Sequence, residues 1–147
     1  MMQVEIKIDE KCTEPKIIIV TDRMTDEINE LVKRISEQTP LFLVGFKNSE
    51  ATILHPDNII HIYAANQKVY AVTDGGNYTV RLRLYEIEER LYPLGFVRIS
   101  GSEIINLKKV KGFDLGFSGT ICVNFQNGST AYVSRRYVAK IKRVLGI

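Results

Sequence analysis

The basic segment Ser134-Arg135-Arg136-Tyr137 carries the clearest chemistry in this sequence. Serine is a common helix N-cap, so Ser134 predicts the start of a helix with both arginines in its first turn. Cations at that end oppose the helix dipole, at a cost of roughly a few tenths of a kcal/mol. Helix amides and guanidinium groups together suit a phosphate, and an arginine also fits the O6 and N7 atoms of guanine. The segment indicates either a polyanion-binding site or an ordinary basic helix end.

Charge is unevenly distributed along the 147-residue chain, whose net charge is only +3. Residues 104–147 hold eight lysines and arginines and one aspartate, whereas residues 1–57 carry a net charge of −4. Such an asymmetry points to a polyanionic partner for the C-terminal end. The overall balance, 45% hydrophobic and 25% charged residues, is typical of a globular protein.

No group of residues has the spacing of a catalytic or metal site. His55 and His61 lie six residues apart without a nearby cysteine, so zinc-binding spacing is absent. The glycines between residues 112 and 119 lack the lysine and helix of a phosphate-binding loop and are expected in turns. Three glutamates are expected on the solvated face of a helix: Glu86, Glu88 and Glu89. We therefore expect no enzyme activity, no metal and no cofactor.

The two cysteines and the apolar pattern indicate where the protein works. Cys12 and Cys122 are far apart and belong to no CxxC motif, which favours free thiols in a reducing compartment. No window approaches the about 20 apolar residues of a membrane span. The first residues also lack the basic flank and apolar run of a signal peptide. The expected location is the cytoplasm.

Short strands and turns are predicted from residue 41 onward. Strands are expected at 41–46, 51–55, 58–63, 69–73, 78–82, 104–105, near 110, 121–125 and 130–133. Residues 74–77 predict a hairpin turn, and Asn127-Gly128 predicts a type I′ turn. Leu84, Ile87 and Leu91 have helical spacing, and a last helix is expected from Ser134 to about residue 145.

The first 40 residues differ in character from the rest of the chain. Residues 3–8 alternate apolar and polar side chains and residues 17–20 form an apolar run, so both predict strands. Thr25 predicts the N-cap of a helix whose apolar stripe is Ile28, Leu31, Val32 and Ile35. We expect a strand-strand-helix extension at 1–40 and a second domain at 41–147. The helix is expected either to pack on the β domain or to serve as a dimer surface.

Several segments of residues 41–147 resemble, in order and spacing, the LytTR DNA-binding domain. They are NIIHIY at 58–63, VYAVT at 69–73, RLYEIEERL at 83–91, FVRISGSEIIN at 96–106, NG at 127–128 and VSRRY at 133–137. The combination of FVRISGS with VSRRY is the more specific part. The resemblance implies an elongated, mostly β domain with short helices (α+β). Loops and a short helix, in place of a recognition helix, would reach two successive major grooves with the minor groove between them.

Carried over by position, the resemblance implies DNA contacts from three segments. The first comprises Asn66, Gln67, Lys68 and Val69, the second Arg98, Ser100, Gly101 and Ser102, and the third Ser134, Arg135, Arg136 and Tyr137 with Lys140. In this scheme Arg136 reads a base. Phosphates are held by Arg98, Ser102 and Ser134.

Three positions depart from the family pattern. A side chain that reaches a base is usual where this chain has Gly101, and a histidine used by some members aligns near Val69. Glu103 replaces a more usual aromatic or small residue, which is expected to lower affinity. Direct base readout is then weaker in the first two segments and falls more heavily on Arg136.

The extension resembles that of stand-alone family members, since 40 residues are too few for a receiver domain. The partners implied are double-stranded DNA with direct-repeat sites, a membrane protein that regulates the chain, and a second copy forming a homodimer on DNA. The expected function is sequence-specific transcriptional regulation. The alternative is a protein-interaction module whose basic end docks on an acidic partner or a membrane surface.

Overall fold

The computed structural model describes residues 2–36, 42–116 and 119–147. The chain divides into two units, residues 1–39 and 40–147. The N-terminal unit contains helix α1 (Asp26–Ser36), which carries Asp26 and Glu27 in its first turn. The Thr25 hydroxyl accepts a hydrogen bond from the Ile28 amide at 3.3 Å, which confirms the predicted N-cap. The helix predicted to end before Pro40 is described only to Ser36, because residues 37–41 lie outside the described part.

Neither strand predicted in the N-terminal unit is formed among its described residues. Residues 3–8 and 17–20 have no strand structure, and the residues between them contain a turn in which the Cys12 amide donates to the Asp9 carbonyl at 3.0 Å. Val4, Ile6 and Ile8 are each at least 85% exposed. An alternating pattern becomes a strand only when a neighbour completes its hydrogen bonds, and residues 2–36 of this unit do not supply one.

The second unit contains two antiparallel sheets, which confirms the mostly β fold. The large sheet has seven strands in the order β2-β1-β5-β4-β3-β7-β6. Its strands are β1 (Leu43–Lys47), β2 (Glu50–Leu54), β3 (Ile59–Ala65), β4 (Lys68–Thr73), β5 (Gly76–Val80), β6 (Phe96–Ser100) and β7 (Glu103–Asn106). The small sheet has the order β10-β9-β8, from β8 (Val110–Leu115), β9 (Ile121–Phe125) and β10 (Thr130–Val133).

Side chains that alternate along the central strands build a core on each face of the large sheet. In β6, Phe96 belongs to one core and Val97 and Ile99 to the other; in β3 a bulge between Ile59 and His61 interrupts the alternation, so that Ile59 and Ile62 share the first core and Ile60 belongs to the second. Helix α2 (Leu84–Leu91) covers the first core, and its three stripe residues, Leu84, Ile87 and Leu91, are buried as predicted. The small sheet and helix α3 (Val138–Leu145) cover the second core. Strands buried on both faces hold the site-bearing loops on a rigid support.

Two-residue turns join the hairpins β1–β2 and β3–β4. Asn48 and Ser49 in the first, and Asn66 and Gln67 in the second, all have positive φ, the backbone that type I′ turns require. The predicted type I′ turn at Asn127-Gly128 is wrong in detail. The turn spans residues 125–128 and only its glycine has positive φ, because the Asn127 side chain accepts two hydrogen bonds from Ser129 and supports a longer loop.

Asn106 is a fully buried polar residue at the end of β7. Its amide nitrogen donates to the carbonyl oxygens of Ile59 at 2.8 Å and Pro56 at 3.2 Å. Its side-chain oxygen accepts from the Lys108 amide at 3.0 Å. Three bonds from one side chain therefore join β7, the start of β3 and the turn after β7.

No described helix is long and apolar enough to cross a membrane.

Candidate nucleic-acid interface

The three predicted segments lie at loops that the sheets bring to one end of the second unit. The first is the β3–β4 hairpin turn, the second the β6–β7 turn, and the third comes directly after β10. The Ala64 amide of β3 donates to the Ser102 carbonyl at 2.8 Å, which joins the first two segments. The Ser134 amide donates to the Ile99 carbonyl of β6 at 2.9 Å, which joins the second and third. Backbone hydrogen bonds thus set the spacing of all three segments.

The hairpin turn presents three of its four predicted residues to solvent. Asn66, Gln67 and Lys68 are exposed, and the positive φ of the first two turns the backbone sharply. Val69 instead is half-buried and packs against the core covered by α2. Its side chain therefore serves packing, and a DNA contact at this position would involve the backbone.

The guanidinium of Arg98 shapes the β6–β7 turn. Its Nε and Nη2 atoms donate to the carbonyls of Ser100 and Gly101, both at 2.8 Å. The Ser100 hydroxyl oxygen in turn accepts from the Ser102 amide at 3.1 Å. The phosphate contact predicted for Arg98 stays a prediction, since these bonds already engage two of its nitrogens. The observed geometry makes Arg98 a positioning residue for the turn.

Glu88 links Arg98 to the C-terminal helix. The sequence predicts only that Glu88 lies on the solvated face of its helix, and this prediction does not include the link. Its two carboxylate oxygens lie 3.7 Å from Arg98 Nη1 and 3.4 Å from Lys140 Nζ. The neighbouring Glu86 also has a structural role, because it accepts a hydrogen bond from the Arg83 amide at 3.2 Å. Glu89 is exposed as expected. Only the fold could reveal the Glu88 bridge, since its partners come from β6 and α3.

Arg136 lies beside the β6–β7 turn. A Cβ atom added to Gly101 would sit 3.8 Å from Arg136 Nη2, an ordinary van der Waals distance. Arg135 and Arg136 are both exposed, and no acidic side chain in the described part of the chain forms an ion pair with either. The guanidinium of Arg136 therefore lies next to Gly101, at an exposed position that an incoming anion can reach.

The α-helix predicted to start at Ser134 is preceded by a 3₁₀ turn, which is wound more tightly than an α-helix. Residues Arg135–Tyr137 form one 3₁₀ turn, and α3 begins only at Val138. Ser134 holds the N-cap position without a side-chain capping bond, so its hydroxyl is not used by the turn. Tyr137 is half-buried against the second core, and the Lys140 ammonium lies 5.9 Å from its ring centroid. These two residues anchor the turn to α3.

Two lysines of the basic C-terminal part form ion pairs with aspartates from other parts of the sequence. Lys108 lies 3.5 Å from Asp57, and Lys109 lies 3.8 Å from Asp74. Both acids come from parts of the sequence with no positive excess. The positive charge near the three segments therefore rests mainly on Lys68, Arg135 and Arg136, and is smaller than the sequence count suggests.

Glu103, one of the departures from the family pattern, faces a histidine. Its Oε2 atom lies 3.1 Å from His61 Nδ1, although the alignment is too poor for a hydrogen bond. His61 also stacks on Tyr63 and Phe125, with ring centroids 5.8 and 5.3 Å away. The carboxylate thus points at a packed histidine.

No three His, Cys, Asp or Glu side chains in the described ranges come together as a metal site.

Replacing Glu88 with glutamine should strengthen binding of duplex DNA by about two- to five-fold at low salt. The change removes a carboxylate that now engages Arg98 and Lys140, so the positive potential at this end rises. Glu89→Gln is the matched control, since it removes the same charge from an exposed position of the same helix. Fluorescence anisotropy titrations measure both. Equal gains from the two variants would show that the bridge has no particular role.

Comparison with known proteins identifies the family. The profile of the LytTr DNA-binding domain matches residues 49–146. Proteins from Staphylococcus aureus strains MSSA476 and N315, both named uncharacterized HTH-type transcriptional regulators, are 32% identical over 148 residues that cover the whole of each chain. A solved LytTr DNA-binding domain from Bacillus cereus superposes with a TM-score of 0.69 at 21% identity, covering 72% of this chain and 97% of that one.

The architecture also fits this family better than a helix-turn-helix. In the described ranges no two α-helices are consecutive, because five strands separate α1 from α2 and five more separate α2 from α3. A recognition helix presented by a preceding helix is therefore not formed there. The exposed residues of the first and third segments lie instead on the β3–β4 hairpin turn and on the 3₁₀ turn after β10. On the profile match over residues 49–146, the chain belongs to the LytTR DNA-binding domain family.

Proposed function

We propose that this protein is a transcriptional regulator that binds double-stranded DNA sequence-specifically through the three segments of the candidate interface. Arg136 is the base-reading residue, and it enters a major groove from the 3₁₀ turn. The β3–β4 hairpin turn enters the next major groove, with the minor groove between them. The relatives named as transcriptional regulators support this role, since they align over the full chain.

The observation that carries the proposal is the open guanidinium of Arg136 beside Gly101. An arginine forms its most discriminating base contact by donating two parallel hydrogen bonds to guanine O6 and N7. That geometry needs a guanidinium without an intramolecular acceptor, and Arg136 meets this condition among the described residues. Arg98 does not, because its donors hold the β6–β7 turn.

The serines and amides around Arg136 supply the phosphate contacts of the proposal. Ser134 has an uncommitted hydroxyl at the N-cap, and Ser102 is exposed on the neighbouring turn. Lys68 supplies a cation on the hairpin turn, and Lys140 contributes from α3. Contacts of this kind fix the register on the duplex, while Arg136 provides the sequence information. Direct repeats, each bound by one copy of the protein, are the sites that we propose.

The salt dependence of duplex binding tests the proposal. With a labelled duplex that carries candidate direct repeats, each phosphate contact should add about 0.9 to the magnitude of the slope of log affinity against log salt. Four to five contacts would give a slope near −4. Fluorescence anisotropy over a salt series measures it. A flat response, or no binding at low salt, would overturn the proposal.

Competition separates DNA binding from docking on another polyanion. We expect unlabelled specific duplex to displace the labelled duplex, and an acidic protein or anionic vesicles to displace it only weakly. Selection of bound duplexes from a random pool then gives the site and repeat spacing. Binding that ignores duplex DNA but responds to an acidic protein or vesicles would support the interaction-module alternative.

A further inference from the structure

The N-terminal unit leaves an apolar, strand-like segment without a strand partner. Val4, Ile6 and Ile8 are 91%, 85% and 90% exposed, and Glu5 and Lys7 alternate with them. The second apolar run is also open to solvent, with Ile18 70% and Val20 93% exposed. Exposed large apolar side chains concentrated in two short segments indicate an interaction surface. Unpaired backbone with alternating side chains marks that interaction as strand pairing.

We propose that residues 4–8 pair antiparallel with the same residues of a second copy, about a two-fold axis at Ile6. In this register Ile6 faces Ile6 and Val4 faces Ile8, so the apolar side chains share one face of the ribbon. On the other face, Glu5 of each copy lies opposite Lys7 of its partner. Charge complementarity is thus built into a segment of five residues, and it identifies the occupant as another copy of this chain.

The charges of Glu5 and Lys7 rule out the neighbouring antiparallel registers. An axis at Glu5 places its carboxylate against its own copy, and an axis at Lys7 does the same with two ammonium groups. An axis between Glu5 and Ile6 places charged side chains opposite apolar ones along the whole segment. Only the axis at Ile6 satisfies both the apolar and the charged positions. The single register is what an isologous interface requires.

A two-stranded ribbon needs further apolar cover to be stable in water. The second run provides it, because Ile17, Ile18 and Val20 of both copies are exposed. The pairing uses residues of the N-terminal unit alone. The pairing goes beyond the proposed DNA contacts, because it names the surface through which two copies associate. Its test uses no DNA, so a failure of the pairing would leave the DNA-binding proposal intact.

Charge reversal in the full-length chain tests the pairing. By sedimentation velocity, the unmodified protein should reach twice the mass of one chain at about 100 µM. Glu5→Lys alone, or Lys7→Glu alone, puts like charges opposite each other twice, and should raise the dimer dissociation constant about tenfold or more. Glu14→Lys is the control, since it makes the same charge change at an exposed position outside the pairing and should leave the constant unchanged.

Two further samples make the test specific to the register. The double variant Glu5→Lys/Lys7→Glu restores opposite charges across the axis, and an equimolar mixture of the two single variants restores them between unlike chains. Both should recover dimer formation. A monomer at every concentration, single variants that associate like the unmodified chain, or no recovery in either rescue sample would overturn the proposal. Far-UV circular dichroism spectra that match the spectrum of the unmodified protein confirm that all variants are folded.

Discussion

Replacing Arg136 with alanine should weaken binding of the preferred duplex by about 1–3 kcal/mol, and should remove most of the preference for that duplex. The loss on unrelated duplexes should be smaller, because there the side chain contributes only its charge. The physical reason is the open guanidinium beside Gly101, which has no acidic partner among the described residues. Anisotropy titrations with the selected duplex and with duplexes changed at single base pairs measure both effects.

Arg135→Ala is the matched control for this prediction. Arg135 has the same charge as Arg136, is also exposed and lies in the same 3₁₀ turn. If it contacts phosphate alone, its loss should weaken all duplexes similarly and reduce the magnitude of the salt slope by about 0.9. Equal losses on every duplex from both variants would mean that Arg136 reads no base and that the specificity lies elsewhere.

The β fold of the second unit was predictable because its pattern is local. Residues along β6 and β7 alternate between two cores, and the stripe of α2 has a period that matches its buried face. Asn-containing turns also mark the hairpins. These features depend on neighbours within a few residues, which a sequence displays directly.

The N-terminal strands could not be predicted from pattern alone. Residues 3–8 have the alternation of a strand, yet a strand exists only with a hydrogen-bonding neighbour. The sequence shows the apolar face and does not show whether one chain supplies the neighbour. The same alternation therefore predicts a strand within a chain and, when the chain leaves it exposed, a strand between chains.

Long-range partners set the limit of prediction in the candidate site. Glu88 bridges Arg98 and Lys140 from a helix that the sequence places on a solvated face. In the same way, acids distant in sequence compensate lysines of the basic end. A count of charges along the sequence does not give the charge of a surface, because the fold brings together acidic and basic side chains that are distant in sequence.

Replacing Asn106 with alanine should lower the free energy of unfolding by about 3 kcal/mol, the largest stability effect that we expect from a polar residue outside the candidate interface. The variant leaves the carbonyls of Ile59 and Pro56 and the amide of Lys108 without their partner at a fully buried position. Because β7 leads from the β6–β7 turn, the loss should also loosen that turn and weaken DNA binding. Denaturant titration followed by tyrosine fluorescence measures it, since the chain has seven tyrosines and no tryptophan.

Asn106→Asp separates the hydrogen-bond argument from a simple loss of volume. The aspartate has the size of the asparagine but, when ionised, cannot donate to the two carbonyls and is buried as a charge. Protonation restores a donor, so the folded state should bind a proton more readily than the unfolded chain. The variant is then least destabilised at low pH and loses stability as pH rises. Asn77→Ala, at an exposed position of β5, should change stability by less than about 0.5 kcal/mol. A pH-independent stability difference for Asn106→Asp, or an effect of Asn106→Ala as small as that of the Asn77 control, would show that the three hydrogen bonds do not hold β7 in place.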